Sequence, residues 1–506
     1  MSTVDQQVAA ARALDDAGRH REAIGVWMAA FQAEPTRASS AIALAQSMAK
    51  LGQRAQAAEV LALAASLHPG NAEVLTVRGT LLRALGRHDE AIACHEQALQ
   101  RAPGSVAIHT NLSAAFSSAG RFEQALVQAD AALGLEPENP IHHFNRGTCL
   151  LRLHRLGEAR EALTRATALG PTSADAWLNL GEVAVASGDD ATAEAHFRRA
   201  VALADGSADA HFNLGLRLLA RGEWKEGWAE YAWREQIASI PRRRVEGARW
   251  DGERLDGTLL VTAEQGLGDT LQFLRFVGLA RERCTRVVFE APPALGALLS
   301  GPDVVTQGQP LPSHAAHASL LDLPNLLGGL APPPPRRLAT RAPTWKRPPG
   351  LAVGVVWQGN PAYHLDARRS VPLRCFEPLS RVPGVTLVSL QKQHGRDHLA
   401  TWAGAPLLDL GATLDETSGP FVETAGVLAR LDLLIASDTS VPHLAGLVGC
   451  PVWLLLSRPA DWRWGADGER TPWYPDFRLF RQRSAGDWGE VFARVEVALR
   501  TFGETR

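Results

Sequence analysis

The sequence predicts an α-helical solenoid followed by an α/β region of two Rossmann-like lobes. Residue spacing in the first half repeats every 34 positions, which is typical of stacked helix pairs. In the second half, apolar runs of strand length alternate with segments of helical periodicity. The chain has 506 residues, which is room for about three domains.

The composition is that of a globular protein. Lys plus Arg number 52 and Asp plus Glu 54, and this formal charge of −2 argues against a nucleic-acid surface or a polybasic membrane tether. The five cysteines form no CxxC pair, so neither a zinc module nor a disulfide framework is predicted. The chain starts without the features of a signal peptide, and no stretch has the length and apolarity of a membrane span. We therefore predict a cytoplasmic protein with no nucleic-acid partner.

Four columns of residues define the repeat. Glycines turn the chain between two helices, prolines end the second helix, and two alanine columns let neighbouring helices approach closely. The pattern resembles the tetratricopeptide repeat (TPR), with seven units in a predicted superhelical solenoid domain at 1–241. The seventh unit has Gly227 and Arg234 in the alanine positions, as expected of a terminal unit that docks on another part of the chain. The columns include Gly18, Gly52, Gly86, Gly120, Gly188 and Gly222, then Pro35, Pro69, Pro103, Pro137 and Pro171, then Ala23, Ala57, Ala91, Ala125, Ala159 and Ala193.

An asparagine column indicates peptide binding. Asn111, Asn145, Asn179 and Asn213 are 34 residues apart, each on the first helix of its unit. First helices line the concave face of such solenoids, where amide side chains can pair with an extended peptide backbone. The alternative is that each asparagine caps or bridges its own neighbouring unit. A single asparagine is better explained in that way, whereas four in register favour a protein or peptide partner.

The first Rossmann-like lobe is predicted at 258–330, after a charged, glycine-rich connector at 242–257. An apolar strand at 258–263 leads through a glycine-containing turn into a helix at 270–280. The turn matches neither the dinucleotide fingerprint GxGxxG nor the phosphate-binding loop GxxxxGK[ST].

The second lobe is predicted at 351–506, after a proline-rich linker at 331–350. Parallel sheets contain continuous apolar strands, and such runs recur through this part of the chain. Two lobes of this kind without a dinucleotide motif suggest the GT-B glycosyltransferase architecture. The buried-strand candidates are 351–357, 385–390, 432–437 and 451–456.

A polar cluster directly after the strand at 432–437 is the sharpest motif. Asp438, Thr439 and Ser440 close the strand and open a helix, a pattern typical of an N-cap. A helix N-terminus presents free N–H groups and a positive dipole end, which together bind phosphate, and the Thr439 and Ser440 hydroxyls can add donors. His443, one turn later, is expected to face the donor phosphates or the sugar. The alternative is an ordinary capped helix with His443 as a satisfied core residue.

The spacing Asp-Thr-x-x-x-His-x-Ala-Gly, followed by PVWLLL, resembles the diphosphate-binding element of the ADP-heptose:LPS heptosyltransferase family. Together with the repeats, the chain resembles bacterial TPR-containing glycosyltransferases that have a heptosyltransferase-like GT-B domain (glycosyltransferase family nine-like). Their layout is similar to that of the O-GlcNAc transferases, whose TPR region also has an asparagine ladder. Further matching segments are GLGDTLQFLRF, GVVWQGNP, RRS and DWRWGADGERTPWYP.

The resemblance implies a catalytic base. A Gly-Asp pair after the first strand of that family contains the aspartate proposed as general base, and Gly268-Asp269 matches it. A carboxylate on a turn at the carboxyl edge of a sheet can take a proton from an acceptor hydroxyl. The alternative is that Asp269 only caps the helix that follows. Glu264, His364 and Asp366 are reserve candidates.

The resemblance also implies a donor site. Gly359 and Asn360 are expected in a tight turn under the donor, and Arg368 and Arg369 match a basic position that neutralises the donor diphosphate. The alternative for the two arginines is a solvated loop. Gln391 ends a strand where the nucleotide base or ribose would lie. The sequence contains no DxD pair and no clustered His or Cys, so neither a metal nor a cofactor is predicted.

Together these features predict an inverting, metal-independent glycosyltransferase. It would move a sugar from a nucleotide-sugar donor to a Ser or Thr hydroxyl of a protein recruited by the repeats. One alternative is a saccharide-directed enzyme that acts on lipopolysaccharide core, as heptosyltransferases do. Another is a non-catalytic TPR scaffold with a degenerate GT-B domain. A GT-B-like epimerase would leave the repeats unexplained.

Overall fold

The structure, a computed structural model, describes residues 2–241, 243–343, 345–363 and 365–504. It divides into two compact units. The first unit is Met1–Ser187 with Ala202–Ala204, and the second is Gly188–Val201 with Asp205–Arg506. The division falls inside the sixth repeat, so the last repeat groups with the α/β region.

The first unit consists of antiparallel helix pairs with the predicted period. Glycines of the 34-residue grid adopt left-handed φ angles between the helices of a pair, for example +73° at Gly18 and +80° at Gly52. His154 replaces glycine in one unit and adopts φ +57° there. The helices are α1 (Thr3–Asp16), α2 (His20–Ala33), α3 (Ala38–Lys50), α4 (Arg54–Leu67), α5 (Ala72–Ala84), α6 (His88–Arg101), α7 (Val106–Ser118), α8 (Phe122–Leu135), α9 (Pro140–Arg152), α10 (Leu156–Leu169) and α11 (Ala174–Ala186).

Small residues hold these pairs close together. The first alanine column is fully buried from Ala23 to Ala159. A further small-residue column, which the sequence analysis did not identify, allows first and second helices to touch. A Cβ on Gly79 would lie 2.7 Å from the His95 ring, and one on Gly147 would lie 2.6 Å from Leu163.

The seventh repeat packs into the core of the second unit, as its departure from the pattern predicts. Trp228 and Tyr231 are 1% and 2% exposed among residues of the sheets. The Trp228 indole donates a hydrogen bond to the Leu330 carbonyl at 2.9 Å. The helices are α12 (Asp190–Leu203), which reaches into both units, α13 (Ala208–Arg221) and α14 (Trp224–Tyr231), with a 3-10 turn at Ala232–Gln236.

A four-stranded parallel sheet follows, in the order β3-β2-β1-β4. The predicted strand and helix of the first lobe are confirmed as β1 and α15. Two further strands, β3 and β4, are three and four residues long, too short for a periodicity argument. The elements are β1 (Leu255–Thr262), α15 (Leu267–Ala280), β2 (Cys284–Ala291), α16 (Pro293–Gly296), β3 (Val304–Thr306), β4 (Ala316–Ser319) and α17 (Leu323–Leu326).

The second sheet is six-stranded and parallel, in the order β10-β9-β8-β5-β6-β7. All four strands predicted for this lobe are confirmed, as β5, β6, β8 and β9. The described residues of 331–350 form neither helix nor strand, as expected of a linker. The elements are β5 (Leu351–Val356), α18 (Asp366–Arg369), β6 (Val385–Ser389), β7 (Leu408–Asp409), α19 (Val422–Leu428), β8 (Leu433–Ser437), α20 (Ser440–Val448), β9 (Val452–Leu456), β10 (Phe477–Arg481) and α21 (Trp488–Glu504).

The strand order locates a crevice in each sheet. Ligands of open parallel sheets bind outside the carboxyl ends of the strands, where the strand order reverses direction. That point lies between β5 and β8 in the six-stranded sheet and between β1 and β4 in the four-stranded sheet. In the part of the chain that the structure describes, no helix is both long and apolar enough to cross a membrane.

Candidate functional site

The start of α20 is open, in the sense that the side chain of its N-cap residue leaves the N–H groups of the first turn without a hydrogen bond. Thr439 is the N-cap residue in an extended conformation, but its side chain accepts no hydrogen bond from the helix. Its hydroxyl oxygen is buried without a hydrogen-bond partner among the described residues. Pro442, the third helical residue, has no N–H, so Ser440 and Val441 present the unpaired amides of the first turn. The first turn contains no acidic residue, which leaves the positive end of the helix dipole available.

In contrast, the start of α15 is capped by a carboxylate from the first turn of the same helix. Asp269 Oδ2 accepts a hydrogen bond from the Gly266 N–H at 2.9 Å. Asp269 therefore caps its helix, as the alternative interpretation held. Its side chain keeps 18% of its surface exposed, and its second oxygen forms an ion pair with Arg463.

The two helix starts lie against each other. A Cβ on Gly268 would lie 3.1 Å from the His443 ring and 3.7 Å from the Ser440 Cα atom. The absence of a side chain at Gly268 therefore lets Asp269 approach the open end of α20.

Arg463 joins the two lobes at this point, and the sequence analysis did not single it out. Besides Asp269, it donates to Asp461 Oδ1 and to Gln272 Oε1, each at 2.9 Å. Its guanidinium lies 4.6 Å from the Trp462 ring centre. Burial opposes the charge, but Asp269 and Asp461 raise the pKa of Arg463 above its ordinary value. The segment DWRWG appeared only as a matching stretch, because nothing local marks one arginine among many.

His443 is a buried core residue in the structure. Its Nδ1 atom lies 2.9 Å from the Tyr474 hydroxyl, and its ring stacks on Trp464 at 5.3 Å. Burial, with Arg463 and Arg275 nearby, holds the pKa of His443 well below its ordinary value. A neutral, packed imidazole agrees with the alternative interpretation and not with a charged phosphate ligand.

Gly359 and Arg369 come together beside α18. A Cβ on Gly359 would contact Arg369 Nη2 and Asp366 Oδ1, so a larger residue there would displace these two side chains. Arg369 Nε donates to Asp366 Oδ1 at 3.0 Å, and its guanidinium lies 4.6 Å from the Tyr363 ring centre. Buried Asp366 also accepts from the Ser370 hydroxyl at 3.0 Å. Asp366 thus orients Arg369 and is not free to act as a base, while His364 lies outside the described residues.

Asn360 and Arg368 lie at the surface. The Asn360 side chain accepts a hydrogen bond from the Ala362 N–H at 3.0 Å, which forms the predicted tight turn. Arg368 is exposed, as the solvated-loop alternative held.

The side chain of Gln391, predicted to lie at the donor, is directed into the protein. It is 3% exposed, and its Oε1 accepts from the N–H groups of Trp357 and Gln358 at 2.9 and 3.1 Å. Its Nε2 donates to the carbonyls of Gln358 and His394, both at 2.8 Å. Every polar group of the amide is thus used inside the protein, and Gln391 shapes the turn after β5.

Asp438 has an unusual environment for a carboxylate. Burial, reinforced by the charge of Asp461, raises the pKa of Asp438 to about 6. The nearby guanidinium groups of Arg369 and Arg463 lower it in part. The carboxyl group therefore titrates close to neutral pH at the base of α20.

Glu264 lies at the crevice of the four-stranded sheet. Arg234 of the seventh repeat donates to both of its carboxylate oxygens, at 2.9 and 2.8 Å, and to Asp322 at 2.6 Å. Ser319 donates a further hydrogen bond to Glu264. This arrangement explains why arginine replaces alanine in the last unit. The same edge borders a cavity of about 750 Å³, which is lined on its other side by residues from 237–241 and 243–249.

The four asparagines of the column have different hydrogen-bonding environments in the structure. Asn179 donates to Thr148 on the first helix of the preceding repeat at 2.8 Å, which is the bridging alternative. Asn213, in the second unit, donates to the Asp209 carbonyl of its own helix at 2.9 Å. Asn111 and Asn145 are half-buried, and the described residues offer their side chains no hydrogen-bond partner. Two of the four predicted contacts thus remain available to a peptide.

A column of His and Trp side chains, also 34 residues apart, lies beside the asparagine column and was not identified from the sequence. Each ring nitrogen donates to the carbonyl six residues earlier, at 2.8–3.1 Å, and so fixes the turn between repeats. The 34-residue spacing could have revealed it, but the mixture of His and Trp hides the shared role. The residues are His109, His143, Trp177 and His211.

Comparison with known proteins agrees with the repeat. The family model described as tetratricopeptide repeat matches residues 42–106, 110–174, 150–208 and 178–232. Protein FlbA of Caulobacter vibrioides is 30% identical over 332 residues, which cover 56% of this chain and 54% of that protein. The chain thus spans about half the length of this relative.

Two solved structures match part of this chain over almost their whole length. One is a tetratricopeptide repeat protein from Parabacteroides merdae, 16% identical with a TM-score of 0.42, covering 46% of this chain and 93% of that one. Another is pilF of Pseudomonas aeruginosa, 21% identical with a TM-score of 0.36, covering 41% and 94%. The family match and the helix pairs together identify the N-terminal part of this chain as a tetratricopeptide-repeat solenoid.

Proposed function

We propose that the protein is a glycosyltransferase that moves a sugar from a nucleotide-sugar donor to a Ser or Thr hydroxyl of a protein. The observation that carries this proposal is the open start of α20. It lies at the crevice of the six-stranded sheet, with no acidic residue in its first turn. A phosphate group can accept hydrogen bonds from the unpaired N–H groups at such a helix start without help from other residues.

The donor phosphates bind the amides of Ser440 and Val441, with Arg369 alongside. Asp366 and Tyr363 already hold the guanidinium of Arg369 in one orientation, so little conformational entropy is lost on binding. As the glycosidic bond breaks, negative charge grows on the leaving phosphate oxygen. The fixed positive groups stabilise that charge in the transition state, which is the role expected of them in a metal-independent enzyme.

The acceptor side chain supplies the nucleophile. Its hydroxyl oxygen forms a bond to the anomeric carbon, and the bond from that carbon to the phosphate oxygen breaks. The bonding electron pair leaves with the nucleotide, and the hydroxyl proton passes to the Asp269 carboxylate. Attack opposite the leaving group inverts the anomeric configuration. The cavity beside Glu264 has room for the acceptor side chain and its neighbours.

The repeats bind the acceptor polypeptide. Asn111 and Asn145 can pair with backbone amides whatever the side chains of the peptide are. Two asparagines with unpaired side chains can bind an extended segment of a few residues. Selectivity for the acceptor sequence then comes from contacts near the catalytic residues.

Nucleotide binding is the first test. We expect calorimetry of the full chain with UDP, GDP, ADP and CDP to find one that binds. Ser440→Pro removes one phosphate-binding N–H, and proline is tolerated there because it is the first helical residue after an extended Thr439. We expect at least a tenfold loss of affinity. The matched Ser440→Ala variant keeps the N–H and should lose threefold at most. If no nucleotide binds the unaltered chain, the protein is a scaffold.

Acceptor labelling is the second test. The full chain is incubated with radiolabelled nucleotide-sugars and a cell extract, with and without EDTA. We expect label in polypeptide, released by alkaline elimination, and unchanged by the chelator. Label confined to lipid-linked glycan would instead support the saccharide-directed alternative.

A further inference from the structure

We infer that Arg463 is shared between the catalytic carboxylate and the donor, so that the arrival of the donor phosphates draws Arg463 away from Asp269 and frees the base. The inference rests on the proposed function. It adds a donor ligand that the sequence did not identify, and it couples donor binding to the readiness of the enzyme for catalysis.

The geometry shows a base that is occupied. One oxygen of Asp269 accepts from the Gly266 N–H, and the other is paired with Arg463. A carboxylate that already accepts hydrogen bonds from the protein at both oxygens has fewer lone pairs available to an acceptor hydroxyl. Release of the contact with Arg463 therefore opens one oxygen of Asp269 to the acceptor hydroxyl.

The position of Arg463 makes that release a consequence of donor binding. Gly268 lies against Ser440, so the residue next to it, Asp269, and its partner Arg463 border the phosphate-binding end of α20. The charge of Arg463 also lowers the pKa of Asp438, the residue that precedes the Thr439 cap. The guanidinium of Arg463 is therefore placed to be attracted by a phosphate bound at Ser440 and Val441.

The charges favour the exchange. In the structure, two carboxylates, Asp269 and Asp461, hold one guanidinium, and Gln272 accepts its third contact. A diphosphate brings more negative charge than one carboxylate and matches the guanidinium fork equally well. Asp461 can keep its contact while Arg463 exchanges Asp269 for phosphate, so the movement required is a change of rotamer and not of backbone.

The test is a double-variant cycle read by nucleotide binding. Asp269→Asn removes the competing charge but keeps an oxygen for the Gly266 N–H, so α15 stays capped. The affinity for the nucleoside diphosphate that the unaltered chain binds should rise three- to tenfold. Arg463→Gln should weaken binding at least tenfold. In the Arg463→Gln background, Asp269→Asn should produce no gain.

The cycle separates this inference from the proposed function. A chain that binds none of the four nucleoside diphosphates overturns both. Binding that Asp269→Asn leaves unchanged or weakens, or a gain that persists without Arg463, overturns the shared arginine alone. Because misfolding can lower affinity but not raise it, the gain in Asp269→Asn is decisive even if Arg463→Gln folds poorly. Arg463→Lys, which keeps the charge, should retain part of the coupling.

Discussion

The second unit contains ion pairs that are far more deeply buried than those of the first unit. In the first unit, ion pairs such as Arg19 with Glu22 stay at the surface, with 58% and 57% of their side chains exposed. In the second unit, Arg234 is 1% exposed and pairs with Glu264 and Asp322, which are 8% and 9% exposed. Burying ions costs several kcal/mol each before pairing is counted. The buried pairs fix the positions of the side chains beside the crevice of the four-stranded sheet, whereas the exposed pair of the solenoid leaves both side chains in solvent.

Breaking the buried network should have the largest effect. Arg234→Met leaves the buried Glu264 without its cation and leaves Asp322 only its contact with Arg249, and we expect a loss of roughly 3–5 kcal/mol in the stability of the second unit. Tryptophan fluorescence during denaturant unfolding reports on this unit, because 12 of the 14 tryptophans follow residue 220.

The matched variant is Arg19→Met, which breaks an exposed pair in the first unit. Because solvent screens exposed pairs, we expect little or no change in the stability of that unit, measured by circular dichroism. Equal losses for the two variants would show that the contrast in burial has no energetic meaning.

Acid should weaken the repeats through one histidine. His95 is fully buried, and burial, with Arg83 nearby, lowers the pKa of His95 to about 4 from its ordinary value of 6.5. As the pH falls below 6.5, the unfolded chain takes up the proton first. The free energy of unfolding of the first unit should therefore drop by up to about 3 kcal/mol by pH 4, where the folded form also protonates.

His95→Leu removes the titrating group and keeps an apolar side chain at the site. Its unfolding free energy, followed by circular dichroism between pH 7 and pH 4, should be flatter than that of the unaltered chain. An unchanged acid profile would assign the loss to other groups.

Close helix packing in the repeats gives a smaller effect. Gly79→Ala places a Cβ 2.7 Å from the His95 ring, and we expect a loss of about 1–3 kcal/mol. Gly25→Ala, in α2, meets nothing within 4 Å and should stabilise the first unit by about 0.5–1 kcal/mol. Opposite signs in thermal unfolding support the role of the small-residue column, and equal signs contradict it.

The fold was largely predictable because its determinants are local. The 34-residue period and turn glycines such as Gly18 specify the helix pairs. Apolar runs such as 432–437 specify the buried strands within a few residues. The short strands β3 and β7 could not be found in that way, because they are strands only by pairing with a neighbour.

The site was predictable only in part because it depends on tertiary contacts. The open start of α20 follows from the sequence around Thr439. The sequence could not reveal that Gln391 turns inward to brace a loop, or that Arg463 reaches Asp269, since 194 residues separate that pair. Ranking one arginine above another requires knowing which carboxylate lies opposite.

The smallest effect concerns Asp438, the carboxylate that directly precedes the Thr439 cap of α20. Its pKa is raised to about 6, and bound phosphate nearby should favour its protonated form further. Binding of a nucleoside diphosphate should therefore take up protons, and affinity should fall about fivefold, or roughly 1 kcal/mol, between pH 5 and pH 7.5. The phosphate of the ligand titrates in the same range, so the ratio of the affinities of Asp438→Asn and the unaltered chain is the quantity to follow. That ratio should rise with pH, because only the aspartate becomes charged. A ratio that stays constant would place the bound phosphate away from Asp438 and from the start of α20.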